Sequence, residues 1–353
     1  MKQGLWSLKW DKDHLILLDQ TKLPDEIVYI DCYSYKDVVS AIKTLAVRGA
    51  PAIGVAAGYA SVLAFRECRA YSDTGLTERF YAALDELEAA RPTAVNLSWA
   101  ISEMKEVYSH SESLETAGAE LLNKAKDIEY SDRDMCRRIG SHGADLFKGK
   151  TALNILTHCN TGALATAGDG TAFSVIKELN ERGQISCVYA DETRPLLQGS
   201  RLTATELMAN EIPCCLITDN MAAMLMNTRH IDAIIVGADR IALNGDGANK
   251  IGTYGLAVLA SYHHIPFYLA APFSTFDTSI KSGGEIVIEE RNPDEVRTYK
   301  GIQLAPKDVP VFNPAFDVTD HELIAGIVTE YGVARAPYTE SLKEIMERKA
   351  QRG

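Results

Sequence analysis

A cysteine shortly after a short apolar run is a first candidate for proton transfer in this sequence. Cys159 comes after the run at 153–156, and polar His158 and Asn160 flank it ahead of a Gly-rich stretch. A free cysteine is often a small core residue, whereas a thiol in an accessible polar turn exchanges protons. The residue type leaves both alternatives open, and the polar neighbours favour the reactive one.

An aspartate occupies a similar position after another apolar run. Asp239 lies in Gly237-Ala238-Asp239-Arg240, directly after the run at 233–236. An aspartate at a strand end commonly stabilises a turn or binds a sugar hydroxyl, and it can also act as a general acid or base. If both runs are strands of one parallel sheet, Asp239 faces Cys159 at one edge, which favours an acid–base pair.

Two arginines next to helix breaks are candidates for binding an anion. The segment at 47–51 predicts the end of one helix and the start of the next, with a proline in the first turn. The amides of Gly49 and Ala50 would then lie at a helix N-terminus beside Arg48, and this combination suits a phosphate. Arg91 precedes another proline, and its side chain is either an anion ligand or a solvated cap.

For other polar residues near these positions, a structural role is as well supported as a functional one. Asp191 and Glu192 follow the run at 187–190, where they either contribute to a ligand site or cap a loop that Arg194 neutralises. His158 is interpreted as an orienting or packed histidine rather than the principal base. The histidines and cysteines show no metal-ligand spacing, so we predict no metal.

The glycines do not predict a nucleotide cofactor. Gly168 and Gly170 are followed by Phe173 where a dinucleotide fingerprint needs its third glycine. Lys250 follows Asn249 where a Walker motif needs glycine. We therefore expect a small anionic substrate and no cofactor.

The composition restricts the compartment and the partners. A net charge of −12 argues against a nucleic-acid surface, and no apolar run is long enough to cross a membrane. Seven cysteines without a CxxC pair indicate a reducing compartment, so we expect a cytoplasmic protein. Three of them, Cys187, Cys214 and Cys215, lie in apolar runs and are predicted to be core residues.

The elements that must position these side chains fall into two groups, which predict an α/β protein. Residues 1–129 predict a mainly helical N-terminal domain with short leading strands, formed by a hairpin of 5–10 with 14–18 and a strand at 27–32. A capping pattern at 131 predicts a linking helix over 131–148. Within 130–353, apolar runs alternate with helical patterns, which predicts a doubly wound parallel sheet. The predicted strands are 153–156, 187–190, 214–218, 233–236 and 267–270.

Seven blocks in order along nearly the whole chain resemble the methylthioribose-1-phosphate isomerase family, which is related to regulatory subunits of the eukaryotic translation-initiation exchange factor. Single motifs are far less specific than this ordered set. The blocks are Val47-Arg48-Gly49-Ala50-Pro51-Ala52-Ile53-Gly54, Arg91-Pro92-Thr93-Ala94-Val95-Asn96-Leu97, Leu156-Thr157-His158-Cys159-Asn160, Asp191-Glu192-Thr193-Arg194-Pro195 with Gln198-Gly199, Gly237-Ala238-Asp239-Arg240-Ile241, Asn249-Lys250-Ile251-Gly252-Thr253-Tyr254 and Phe312-Asn313-Pro314-Ala315-Phe316-Asp317.

The resemblance implies a Rossmann-like C-terminal domain, a homodimer, and conversion of 5-methylthioribose 1-phosphate into 5-methylthioribulose 1-phosphate in methionine salvage. It also implies that Cys159 and Asp239 are the catalytic pair. The substrate would be bound by Arg48, Gly49, Ala50, Arg91, Gln198, Asn249 and Lys250.

Two alternatives follow from the same resemblance. Asp169 stands where many relatives are expected to have a bulky residue, which leaves open a sister isomerase that acts on 5-deoxyribose 1-phosphate or ribose 1,5-bisphosphate. The other alternative is a non-enzymatic regulatory subunit of the exchange-factor type. The presence of both Cys159 and Asp239, each within its full motif, argues against that alternative.

Overall fold

The computed structural model describes residues 5–91 and 94–351 of the chain and contains two compact units. The first unit comprises Met1–Met135 together with Gly162–Gly170, and the second comprises Cys136–Thr161 and Thr171–Gly353. Within the described residues, no helix combines the length and the apolar character that a membrane span requires.

The first unit combines a small antiparallel sheet with helices. Its strands pair in chain order, which confirms the predicted hairpin and the strand that follows it. The described elements are β1 (Leu8–Asp11), β2 (His14–Leu18), β3 (Tyr29–Cys32), α1 (Tyr35–Lys43), α2 (Ala50–Tyr71), α3 (Leu76–Glu88), α4 (Val95–His110) and the first part of α5 (Leu114–Asp145).

Local chemistry explains where the helices of this unit begin and which of them is central. α1 begins with a capping box in which the Ser34 hydroxyl accepts the Asp37 amide, while the Asp37 carboxylate accepts the Ser34 amide at 2.9 Å. α2 is buried on most of its sides because it is rich in small and apolar residues and packs against α1, α3 and α4. Phe65 of α2 meets the aromatic rings of Phe80 and Tyr108 at the centre of this core.

The predicted start of a linking helix at 131 is wrong. α5 runs through that position without a break, from Leu114 to Asp145. A capping box needs first-turn amides that lack partners, and inside a helix those amides bond to the preceding turn. The Asp132 carboxylate accepts the amide of Ala167 at 2.6 Å instead. The structure divides within α5, between Met135 and Cys136, and the predicted boundary at 129/130 stays a prediction.

The second unit is built on a parallel sheet. Its strands are β4 (Leu153–Thr157), β5 (Ile185–Asp191), β6 (Cys214–Ile217), β7 (Ala233–Val236), β10 (Phe267–Ala270), β15 (Gly326–Thr329) and β16 (Gly332–Ala334). They pair in the order β16-β15-β10-β7-β4-β5-β6, and among the described pairs only β15 with β16 is antiparallel. The first five correspond to the predicted strands, so the α/β class and the parallel sheet are confirmed.

The remaining strands of this unit are β8 (Arg240–Ala242), β9 (Gly247–Lys250), β11 (Phe276–Asp277), β12 (Thr298–Tyr299), β13 (Ile302–Gln303) and β14 (Phe316–Thr319). Four of them form a second sheet in the order β11-β8-β9-β14, and β12 and β13 form a separate hairpin. These strands were missed because they are short and of mixed polarity. The helices are α6 (Ala172–Glu181), α7 (Ala204–Ala209), α8 (Ala222–Thr228), α9 (Thr253–Tyr262), α10 (Asp294–Arg297) and α11 (Tyr338–Ala350), and Gly199–Thr203 forms a π-helical turn.

The prediction that three cysteines of this unit are core residues is wrong. Cys187 and Cys214 are half-buried, and Cys215 is exposed. β6 is the last strand of the described sheet, so its outer edge and part of its faces stay open. An apolar run therefore identified the strand and not its burial.

Candidate active site

Cys159 and Asp239 follow neighbouring strands at the point where the strand order of the sheet reverses. From β4 the chain proceeds to β5 and β6 on one side, and then returns to β7 on the other side of β4. β4 and β7 are parallel, with Leu156 opposite Ile234, so both residues lie beyond the carboxyl ends of adjacent strands. This reversal is where open α/β sheets bind their ligands.

The loops that carry the two residues also contact each other. Gly237 lies two positions before Asp239, and a side chain there would come within 2.5 Å of Thr161, two positions after Cys159. Only glycine allows this approach of the backbone. The Cys159 side chain is buried, with 8% of its surface exposed, whereas Asp239 is exposed and its amide donates to the Ala248 carbonyl at 2.8 Å.

A buried histidine–aspartate pair adjoins the cysteine. The His158 Nδ1 lies 2.9 Å from the Asp191 Oδ2, and its Nε2 lies 2.9 Å from the carbonyl oxygen of Ile251. A carbonyl can only accept, so Nε2 carries a proton, and a further proton is shared between Nδ1 and the carboxylate. His158 thus connects the ends of β4 and β5 with the loop after β9.

The environment holds the shared proton in place. Burial lowers the pKa of His158, but the hydrogen bond and charge of Asp191, with the charge of Asp219, raise it above the ordinary value overall. Burial raises the pKa of the Asp191 carboxyl, against the opposing effect of His158. Both shifts favour the protonated form, so the pair keeps its bridging proton over a wide range of pH.

The same histidine and two carboxylates form a compact group. One ligand-type atom from each of His158, Asp191 and Asp219 lies within 4.8 Å of the others, a grouping that the sequence spacing does not reveal. The Asp219 oxygens accept the amides of Thr193 and Arg194 at 2.8 and 2.7 Å. These bonds orient the group towards the backbone, which gives it a supporting role for the loop after β5.

Gln198 has a buried polar atom that is available to a ligand. Its side chain is 8% exposed, and its Oε1 has no hydrogen-bond partner among the described residues. Such an atom in a native protein calls for a ligand or water as its partner. Gln198 immediately precedes the π-helical turn, a conformation that is common at functional sites.

Asn249 and Lys250 lie at the end of β9, which pairs with the β8 strand that follows Asp239. Both side chains are buried. The Lys250 ammonium donates to the Ala315 carbonyl at 3.0 Å and lies 4.6 Å from the centre of the Phe316 ring. The buried ammonium is therefore held in place by a carbonyl oxygen and an aromatic face.

The predicted phosphate ligands Arg48, Gly49, Ala50 and Arg91 belong to the first unit. α2 begins at Ala50 with Gly49 as its N-cap, as the sequence predicts, and Arg48 is half-buried beside it. Arg91 is half-buried, and the proline break at 92–93 lies outside the described residues. That these four residues bind one substrate together with residues of the second unit stays a prediction.

Two parts of this site were missed from the sequence. The pairing of Asp191 with His158 was not predicted, and Asp219 was not singled out at all. Asp219 follows the predicted strand at 214–218, so an inspection of every strand end would have found it.

These features define the class of the protein. Residues 46–336 match the Initiation factor 2 subunit family, and the chain therefore belongs to that family.

Within the family, the chain is similar to proteins named methylthioribose-1-phosphate isomerase. It is 50% identical over 347 residues to the one from Thermotoga maritima, a match that covers 98% of this chain and 100% of the relative. It is also 50% identical over 342 residues to the one from Caldicellulosiruptor saccharolyticus, covering 96% of this chain and 99% of that relative.

Two solved structures share the fold and carry different titles. The 5-methylthioribose 1-phosphate isomerase from Pyrococcus horikoshii OT3 has a TM-score of 0.93 and 44% identity, over 97% of this chain and 96% of that one. The translation initiation factor eIF-2B, subunit delta, from A. fulgidus has a TM-score of 0.90 and 42% identity, over 98% of this chain and 100% of that one. Overall similarity alone therefore does not separate the two titles.

Proposed function

We propose that this chain is an aldose–ketose isomerase that converts 5-methylthioribose 1-phosphate into 5-methylthioribulose 1-phosphate in methionine salvage. The observation that carries the proposal is the placement of Cys159 and Asp239 after adjacent strands, where the sheet order reverses. The names of relatives that are about half identical to this chain support the same activity.

Cys159 and Asp239 are assigned to proton transfer. The phosphate at C1 prevents the ring from opening to a free aldehyde, so the enzyme must open it by protonating the ring oxygen, which we assign to Asp239. In one route, Cys159 then removes the C2 proton and a phosphoenolate is reprotonated at C1. In the other, hydrogen moves from C2 to C1 as hydride, and the two side chains transfer only hydroxyl and ring-oxygen protons.

The remaining predicted residues are assigned to substrate binding. Gln198 has a buried acceptor atom for a sugar hydroxyl, and Asn249 and Lys250 are buried polar groups near the Asp239 loop. We assign the phosphate to Arg48 and Arg91 with the amides of Gly49 and Ala50, since a helix N-terminus and guanidinium groups favour an anion.

A substrate panel tests the activity. The purified protein is assayed with 5-methylthioribose 1-phosphate, 5-deoxyribose 1-phosphate and ribose 1,5-bisphosphate. We expect the highest kcat/KM with the methylthio sugar. A preference for either other sugar would replace the proposed substrate within the same reaction class, and no turnover of any of them would overturn the isomerase.

Deuterated water separates the two routes. Substantial solvent label at C1 of the product supports proton transfer through Cys159. Lack of label favours hydride transfer, unless the abstracted proton returns to C1 without exchanging with the solvent.

A regulatory subunit of the exchange-factor type is the second candidate, because the A. fulgidus structure with that title is 42% identical to this chain. The two candidates differ in turnover. Robust isomerisation by the isolated protein would dispose of the regulatory role, whereas binding of the sugar phosphate without turnover would favour it.

We also propose a homodimer, which the family resemblance implies. α9 exposes Tyr254, Val258 and Tyr262 at four-residue spacing, and the adjoining α8 exposes Met224. A stripe of exposed apolar residues on two packed helices suits a self-complementary interface. Light scattering should give a dimer for the wild type and a monomer for Val258→Asp. Val287→Asp, at another exposed valine, is the control, and a monomeric wild type would contradict the proposal.

A cytoplasmic location is proposed on the cysteine chemistry and the metabolic activity. All seven cysteines lie within the described residues as thiols rather than disulfides, which suits a reducing compartment. The net charge of −12 leaves small anions and a second copy as the expected partners, rather than nucleic acid or a membrane surface.

A further inference from the structure

The backbone of Cys159 has an unusual conformation. Its φ is +63°, in the left-handed region that residues other than glycine seldom adopt. Strained residues of this kind persist only where the surroundings determine them, and they concentrate at functional sites. The contacts of this backbone therefore show what holds the thiol in its direction.

Two threonine hydroxyls bond to the backbone amide and the backbone carbonyl of Cys159. The amide of Cys159 donates to the Thr193 Oγ1 at 2.9 Å, and the Thr203 Oγ1 donates to the Cys159 carbonyl at 2.6 Å. Both threonines are fully or almost fully buried, with 0% and 2% exposure. Buried hydrogen bonds of this length, without competing water, set the orientation of a peptide unit.

Each hydroxyl is fixed by a second bond, so neither can rotate freely. Thr193 donates to the Asp191 carbonyl at 3.2 Å, and its own φ of +64° is maintained by the Asp219 carboxylate, which accepts its amide. A β-branched residue in this conformation is a genuine outlier, so the position is over-determined by its partners. The hydroxyl thereby presents its lone pair to the Cys159 amide.

The Thr203 hydroxyl is also fixed by a second hydrogen bond, in which it is the acceptor. It accepts the Asn160 side-chain amide at 3.2 Å, and the same amide donates to the buried Glu206 carboxylate at 2.5 Å. Thr203 ends the π-helical turn that begins at Gly199, where any side chain would come within 1.6 Å of the Asp191 carbonyl oxygen. The turn therefore lies directly against the end of β5.

We infer that Thr193 and Thr203 are positioning residues that set the direction of the Cys159 thiol. Neither is assigned contact with the substrate. Their effect on catalysis rests on the proposed function, since a misplaced acid–base group reacts slowly even when the substrate binds normally.

Replacing the hydroxyl of Thr203 with a methyl group tests the inference. Thr203→Val keeps the volume and removes the bond to the Cys159 carbonyl, and Thr203→Ser restores the hydroxyl. We expect Thr203→Val to lower kcat by about 100-fold with KM changed by less than about threefold. Thr203→Ser should recover most of the rate.

A matched control lies two positions along the chain. Thr205 is half-buried, and its hydroxyl donates to the Arg201 carbonyl at 2.8 Å. Thr205→Val should leave both kcat and KM within about twofold of the wild type, because its hydroxyl bonds to the preceding helical turn and not to Cys159. Equal kcat values for the two valine variants would overturn the positioning role.

A second readout does not depend on the substrate. The rate of alkylation at Cys159 by iodoacetamide is followed by mass spectrometry of its peptide, with circular dichroism as the check on folding. We expect alkylation at least about threefold faster in Thr203→Val than in Thr205→Val, because a relaxed turn exposes the buried thiol. Thr193→Val provides the same measurement if Thr203→Val does not fold.

The two readouts distinguish the inference from the activity on which it rests. If the wild type does not isomerise the sugar phosphate, the proposed function fails, and the alkylation rates alone decide the inference. If the wild type is active but both threonine variants match the Thr205→Val control in kcat, the inference fails while the function stands.

Discussion

The two ends of the site differ in how their carboxylates are held. At the ends of β4 and β5, Asp191 is 1% exposed and shares a proton with His158, and buried hydroxyls surround the adjoining cysteine. At the end of β7, Asp239 is exposed and lies on a short connection to β8. One carboxylate belongs to a packed polar network, and the other faces outward from the sheet.

The difference separates positioning from reaction. A buried carboxylate whose proton is shared with a histidine cannot readily exchange it with a substrate, so Asp191 is suited to holding the loops in place. An exposed aspartate at the same edge of the sheet can meet a ligand directly. Substitutions at the two carboxylates should therefore fail in different ways, through structure at Asp191 and through turnover at Asp239.

The largest effect is expected at the reacting pair. Cys159→Ala and Asp239→Asn should each lower kcat by about 10²–10⁴-fold, the range for loss of a general acid or base. Thermal unfolding should be nearly unchanged for Asp239→Asn, because the side chain is exposed. Steady-state kinetics with calorimetry checks both, and near-wild-type turnover in either variant would remove that residue from the mechanism.

The buried pair should respond most strongly in stability. Asp191→Ala leaves the His158 imidazole without its partner and should lower the free energy of unfolding by about 3–5 kcal/mol. Asp191→Asn should cost less, since a neutral imidazole can accept the new amide proton at Nδ1. Urea unfolding measures both, and equal losses would show that a hydrogen bond from a neutral amide does not replace the shared proton.

The pH dependence of stability has a definite sign. The folded-state pKa of His158 is raised above its ordinary value of about 6.5, so its contribution is complete below that pH and is lost as the pH rises through the folded pKa. The raised pKa of Asp191 acts in the same direction. The free energy of unfolding of the wild type should fall as the pH rises above about 6.5. Asp191→Asn should make the free energy of unfolding less dependent on pH in this range.

A smaller effect is expected at Gln198. Gln198→Ala removes the buried acceptor atom that we assign to a substrate hydroxyl. KM should rise about tenfold, in line with the loss of one good hydrogen bond, while kcat falls less. A lower kcat with an unchanged KM would instead show that Gln198 stabilises the transition state and not the bound substrate.

The smallest effect concerns Asp132, a buried carboxylate of the first unit that accepts a backbone amide. Burial raises the pKa of Asp132 to about 6, against the amides of Ala167 and Gly168 that lower it. Because the folded form binds its proton more tightly, stability should fall as the pH rises from about 4 to about 6. Asp132→Asn should flatten this region and raise the stability at pH 7, and unchanged profiles would contradict the assignment.

The sequence predicts the strands and the candidate catalytic residues of the site better than it predicts the hydrogen bonds that hold those residues in place. The apolar runs identify β4 and β7, and small or polar residues after them identify Cys159 and Asp239, because both signals are local. The helix start at Ala50 is predicted for the same reason, from its glycine and proline.

The supporting contacts depend on residues far apart in the chain. Thr203 bonds to a carbonyl 44 positions away, and His158 to one 93 positions away. Nothing in the local pattern of either residue encodes these partners. The predicted helix start at 131 is wrong for a related reason. A sequence that can cap a helix is also compatible with the helix interior when the preceding turn continues.

The most direct test of the acid–base pair is a double-variant cycle on kcat with 5-methylthioribose 1-phosphate, using Cys159→Ala, Asp239→Asn and both together. Groups that act as one unit are strongly non-additive. We expect the double variant to be about as slow as the slower single variant. Losses that multiply would show two independent contributions and contradict the pairing of Cys159 with Asp239.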